Sequence, residues 1–176
     1  MKMFRLMAVM SMILMMSVAT GQTRSEKKLM QDATKAKKTM LKTDAGIEKF
    51  FDTSAGFVIF PNVGKGGFII GGASGKGVVY EKGDVVGMAD LKKLNIGLQA
   101  GGQAIIEVIF FETPTDLARF KEGKFQFAAE ASAVALKSGI AVNAKYKDGV
   151  AVFALPKAGL MADASVGGQK FGYDPF

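Results

Sequence analysis

Glycine punctuates this chain more than any other residue shapes it. There are 22 glycines among 176 residues. Beyond residue 53 they and a few prolines cut the apolar residues into short runs. Runs of that length, bounded by turn residues, form strands rather than long helices. Residues 55–61 (AGFVIFP) read as a buried strand. Residues 104–111 (AIIEVIFF) read as a central strand with both faces covered, Glu107 being the anomaly. Residues 150–155 follow an Asp148-Gly149 hairpin turn. Residues 67–73 and 77–81 read as a hairpin around Ser74-Gly75-Lys76, and 81–84 as a further turn. Alternation over 94–100 and 160–166 predicts two more strands, with a bulge or bend at Gly101-Gly102.

Few segments can be helices. Thr113-Pro114-Thr115-Asp116 is a helix start, with a cap, a first-turn proline and an acid at the third position. Gly123 ends that helix. Another short helix starts at Asp44, with Ile47, Phe50 and Phe51 on its apolar side. Residues 124–136 stay open between helix, by alanine content, and strand, by alternation of Phe125 and Phe127 around Gln126. With so few helices to cross between parallel strands, the expected fold is α+β. It is a curved or barrel-like antiparallel β-sheet with a basic N-terminal helix and one or two short helices packed on it.

Residues 1–21 carry a different pattern. Lys2 and Arg5 precede an uncharged apolar stretch over 6–18, and small residues follow. That is the three-part layout of a secretory signal peptide, cleaved after Ala19 or Gly21. The stretch is shorter than the ~20 residues of a membrane span. The expectation is one exported domain over 22–176, periplasmic or extracellular.

The chain contains no His, Cys or Trp. Disulfides, Cys or His zinc sites, and catalysis that relies on a His base or a Cys nucleophile are excluded. No carboxylate pair has a spacing that argues for glycoside hydrolysis. The expectation is a protein that is not an enzyme and needs no cofactor. Glu107 and Glu130, in apolar surroundings, read as paired structural carboxylates.

The formal charge of +7 is concentrated. After the signal segment, 24–42 holds seven basic and two acidic residues, and the rest balances. Ser25 is a candidate N-cap for a helix there. Leu29, Met30, Ala33, Ala36, Met40 and Leu41 make its apolar stripe. Lys27, Lys28, Lys35, Lys37, Lys38 and Lys42 make it basic. Such a helix suits an anionic lipid surface, or is a solvated helix docked on the core. Lys65 and Lys76 stand in glycine-rich stretches that imitate a phosphate-binding loop. The imitation fails: Gly66 and Gly77 occupy the positions of the required Ser or Thr, and Ile69 replaces the third dinucleotide glycine. A backbone nest for a lipid phosphate beside Lys65 and Lys76 is the remaining functional reading, against plain turn glycines. The short basic run on an exported chain argues against nucleic acid as a partner.

Six pieces in order resemble the SYLF domain across 44–173. They are GFVIFP at 56–61, GGASGKGVVY at 71–80, GLQAGGQ at 97–103, IFF at 109–111, residues 120–134, and KAGLMADASVGGQKF at 157–171. The resemblance implies binding of phosphoinositides or other anionic phospholipids, and no catalysis. In some eukaryotic members a basic N-terminal helix serves this role, which here falls on 27–42. For an exported bacterial-type member the lipid would be another anionic phospholipid. A barrel-type carrier of an apolar ligand, and a structural or partner-binding envelope protein, are the alternatives.

Overall fold

A computed structural model describes residues 23–64, 72–94, 104–127, 133–157 and 168–176. The signal segment, the 160–166 strand, Gly101-Gly102, Glu130 and Lys65 lie outside these, as does the 94–100 strand apart from Leu94. The chain enters on helix α1 (Arg24–Thr43), a 3-10 turn (Ala45–Ile47) and helix α2 (Glu48–Thr53). Strands β1 (Gly56–Gly64), β2 (Gly72–Glu81), β3 (Asp84–Leu94) and β4 (Ala104–Phe111) follow. Helix α3 (Pro114–Lys121) leads to β5 (Val134–Ala135), a second 3-10 turn (Ala141–Asn143), β6 (Val150–Pro156) and β7 (Gln169–Pro175).

The seven strands form one sheet in the order β5-β6-β4-β1-β2-β3-β7. All neighbours are antiparallel except β5 and β6, which run parallel. The sheet is therefore mixed, and it is not closed into a barrel. Between α3 and β5, Phe125 and Phe127 turn inward while Gln126 makes one isolated bridge to Lys170. A single bridge and a two-residue β5 form no continuous ladder between the two edges among the described residues.

Curvature is nevertheless strong. Three strands separate β4 from β7, so a flat sheet would hold them about 19 Å apart. Yet Gln169 Nε2 of β7 donates to Glu107 Oε2 of β4 at 3.0 Å, and both side chains are buried. The rings of Phe60 and Phe171 lie 6.0 Å apart across the same concave face. Glycine makes the approach feasible. A Cβ on Gly77 would stand 2.7 Å from the Phe60 ring, and one on Gly75 would stand 3.0 Å from Val63. This corrects the hairpin expected around Ser74-Gly75-Lys76, because β2 runs unbroken through it. The glycines are the inward positions of a strand, left small where the curl closes. The expected turns at Lys82-Gly83 and Asp148-Gly149 are present, each with two successive positive φ angles, as a tight hairpin requires.

Each face of the sheet has its own core. The concave side gathers Val58, Phe60, Val79, Ile109 and Phe111 with Leu117 and Phe120 of α3 and the rings of Phe125, Phe127 and Phe171. The convex side gathers Phe57, Ile59, Val78, Val108, Phe110 and Phe153 under α1 and α2. Strands β1 and β4 lie between both cores, which is why they read as nearly continuous apolar runs.

Asp44 ties the helical segment to the far end of the chain. Its carboxylate accepts from Gly46 N at 2.9 Å and from Ala141 N at 2.7 Å. Lys49 Nζ donates to Val142 O at 2.7 Å nearby. The Ala141 amide is the main cause that holds the Asp44 carboxyl below its usual pKa. A depressed pKa means stability that is present above the unfolded value of about 3.9 and is lost as pH falls through the folded one. Asp44→Ala is expected to cost about 2 kcal/mol at neutral pH, because buried amides lose their acceptor. Urea unfolding checks this: the gap from wild type must shrink below about pH 4. A gap independent of pH would mean that the ionised carboxylate is not what holds the turn.

Candidate functional site

The basic helix forms where it is expected, with one correction at its start. Thr23, not Ser25, is the N-cap. Glu26 N donates to Thr23 Oγ1 at 3.2 Å, and Thr23 N donates to Glu26 Oε2 at 2.7 Å. A reciprocal box needs an acid three residues after the cap. From Thr23 that residue is Glu26, whereas from Ser25 it would be Lys28.

Helix α1 is docked. Ala33, Ala36 and Met40 are buried against the convex core, and Leu29, Met30 and Leu41 pack partly against it. One 3.6-residue period places Arg24, Lys27, Lys28, Lys35, Lys38 and Lys42 on the opposite side, facing solvent. The stripe extends about 27 Å along the helix. Lys28 and Lys35 side chains are 75% and 77% exposed. Asp32 borders the stripe, 2.8 Å from Lys28 Nζ and 3.8 Å from Lys35 Nζ. The Lys28 hydrogen bond holds the Asp32 carboxyl below its usual pKa, with Lys35 and Lys157 adding to the effect. Lys27, Lys38 and Lys42 form no ion pair among the described residues.

Lys37 does something else. Its Nζ sits 4.4 Å from the Phe51 ring centroid and 5.5 Å from that of Phe57. It caps the seam between α1, α2 and β1 and is not part of the outward stripe. Lys76 lies within a continuous strand and not in a turn. It stands exposed in the middle of β2, paired with Asp90 of β3, on the convex side. There it lines a groove of about 590 Å³ together with Lys35, Lys157, Asp32 and Asn62. Lys157 Nζ donates to Asn62 Oδ1 at 3.2 Å. Sequence reasoning missed Lys157 and Asn62. They lie 95 positions apart, in a turn and at a bulge, with no local signal that joins them.

The concave side is lined by aromatic rings among the described residues. The rings of Phe111, Phe120, Phe125, Phe127 and Phe171 pack on one another at centroid separations of 5.0–6.2 Å. Among the described residues no helix is long and apolar enough to cross a membrane. No cluster of three or more acidic side chains there could hold a metal ion.

No family model matches the chain. It is similar to beta cell expansion factor A of Aeromonas veronii, 31% identical over 86 residues. That stretch is 48% of this chain and 33% of the relative, so the match spans only a third of the relative's length.

Proposed function

We propose that this chain is a non-enzymatic lipid-binding protein of the cell envelope, exported by its 1–21 segment and related to the SYLF domain. It contacts an anionic phospholipid surface through α1. One observation carries the reading: a 20-residue capped helix fixed by its apolar face turns six basic side chains outward over one face. Lysines near an anionic surface contribute about 1 kcal/mol each. Because the apolar stripe is already used in the core, the contact is peripheral and electrostatic.

That distinction has a direct test. The protein is expected to co-sediment with phosphatidylcholine vesicles that contain phosphatidylglycerol, and not with phosphatidylcholine alone. Raising salt from about 50 mM to about 500 mM is expected to release it, since screening shortens the reach of exposed charges to a few ångströms. Binding that persists at high salt would mean that α1 undocks and inserts its apolar face. Equal binding to both vesicles would remove the electrostatic reading altogether.

A further inference from the structure

Lys35, Lys76 and Lys157 reach one groove from three separate elements: α1, the convex face of β2 and the turn after β6. Its volume of about 590 Å³ lies inside the usual ~300–1,000 Å³ range of small-ligand sites. Leu29 and Ala36 of the helix, with Pro61 and Ile106 of the sheet, supply apolar walls. Asp32 is the one carboxylate in the lining. Within the lining three ammonium groups face one carboxylate, while Asp90 stands opposite Lys76 just outside it. Asn62 accepts from Lys157 through its side-chain oxygen, and its amide N–H groups make no hydrogen bond among the described residues. Convergent cations in a recess concentrate potential and favour an anion of matching charge.

We infer that this groove binds a dianionic phosphate, the charge state of a phosphomonoester, with Lys35, Lys76, Lys157 and Asn62 as its donors. The inference rests on the lipid-surface reading and deepens it. The helix stripe supplies general attraction, and the groove selects a headgroup. A free phosphate and the monoester headgroup of phosphatidic acid present the same chemistry, at about −1.5 to −2 charges near neutral pH.

The test uses Lys76→Gln with Lys157→Gln, both exposed positions away from the helix stripe. Inorganic phosphate is titrated into ¹⁵N-labelled protein while the Asn62 side-chain amide and the Lys76 and Lys157 backbone amides are followed. Binding is then compared on phosphatidylcholine vesicles with phosphatidic acid and on vesicles with phosphatidylglycerol at matched surface charge. The double variant is expected to lose at least about tenfold in affinity for phosphatidic acid and to keep its phosphatidylglycerol affinity within about twofold. Groove shifts with inorganic phosphate identify a free phosphate ligand. A phosphatidic acid preference without those shifts identifies the lipid headgroup. Neither shifts nor a groove-dependent preference would overturn the inference. A folded variant with Lys27, Lys28, Lys38 and Lys42 all changed to glutamate that still binds phosphatidylglycerol would instead sink the surface reading and leave the groove result standing.

Discussion

Changing Lys27, Lys28, Lys38 and Lys42 together to glutamate is expected to abolish co-sedimentation with phosphatidylglycerol vesicles. Four lysines near the surface account for about 4 kcal/mol, or roughly a thousandfold in affinity, and the added carboxylates repel the same lipid. The choice of residues follows the geometry. Lys35 is spared because it also lines the groove, and Lys37 because it lies over the Phe51 ring. All four substituted positions are exposed, so the fold is expected to survive. The costs are a like-charge pair between residue 28 and Asp32, about 0.5 kcal/mol, and a carboxylate in place of Lys42 in the last turn of α1, about 0.3–1 kcal/mol. Circular dichroism and a thermal melt establish that the variant is folded. A folded variant that still pellets with the vesicles would show that another surface makes the contact.

Phe110→Ala is expected to destabilise the protein by about 3–5 kcal/mol. That is a large part of a typical total of about 5–15 kcal/mol. The ring is fully buried at the centre of the convex core. It meets Phe51 edge-on at 4.8 Å and Phe50 at 5.5 Å, and lies 5.8 Å from both Phe57 and Phe153. Helix α2 has only six residues and cannot sustain itself as an isolated helix. It is held by its rings on Phe110, so a cavity there loosens α2 and the seam under α1 together. Urea unfolding with an unchanged slope measures the loss. Phe176→Ala, at a ring 51% exposed, serves as the control and is expected within about 0.5 kcal/mol of wild type. A Phe110 effect no larger than the control would remove the convex core as the anchor of the helices.

Legibility differed from element to element for physical reasons. The start of α3 was readable because its capping box is local: Thr113 and Asp116 satisfy one another three residues apart. The strands β1 and β4 were readable because burial on both faces leaves an unbroken apolar run. Strand β2 was misread because glycine has two uses that look alike in sequence. In Lys82-Gly83 it supports a turn, while Gly75 makes room for Val63 and Gly77 for the Phe60 ring. Strand β7 was not expected at all. Its pattern, with Gln169, Phe171 and Tyr173 inward, breaks the usual polarity because Gln169 finds its partner in Glu107 across the curl.

The candidate site divides the same way. Composition and a 3.6-residue period by themselves determined the basic helix, its apolar stripe and the lysines opposite it, because both patterns are contained within 20 consecutive residues. They also determined that Cys and His chemistry is absent. Only the tertiary structure decided that the apolar stripe is spent on the sheet, that Lys37 turns aside to aromatic rings, and that Lys35, Lys76 and Lys157 share one groove. Those outcomes depend on which strand face lies beneath α1 and how far the sheet curls. Both are set by packing between residues tens of positions apart, and no local pattern encodes them.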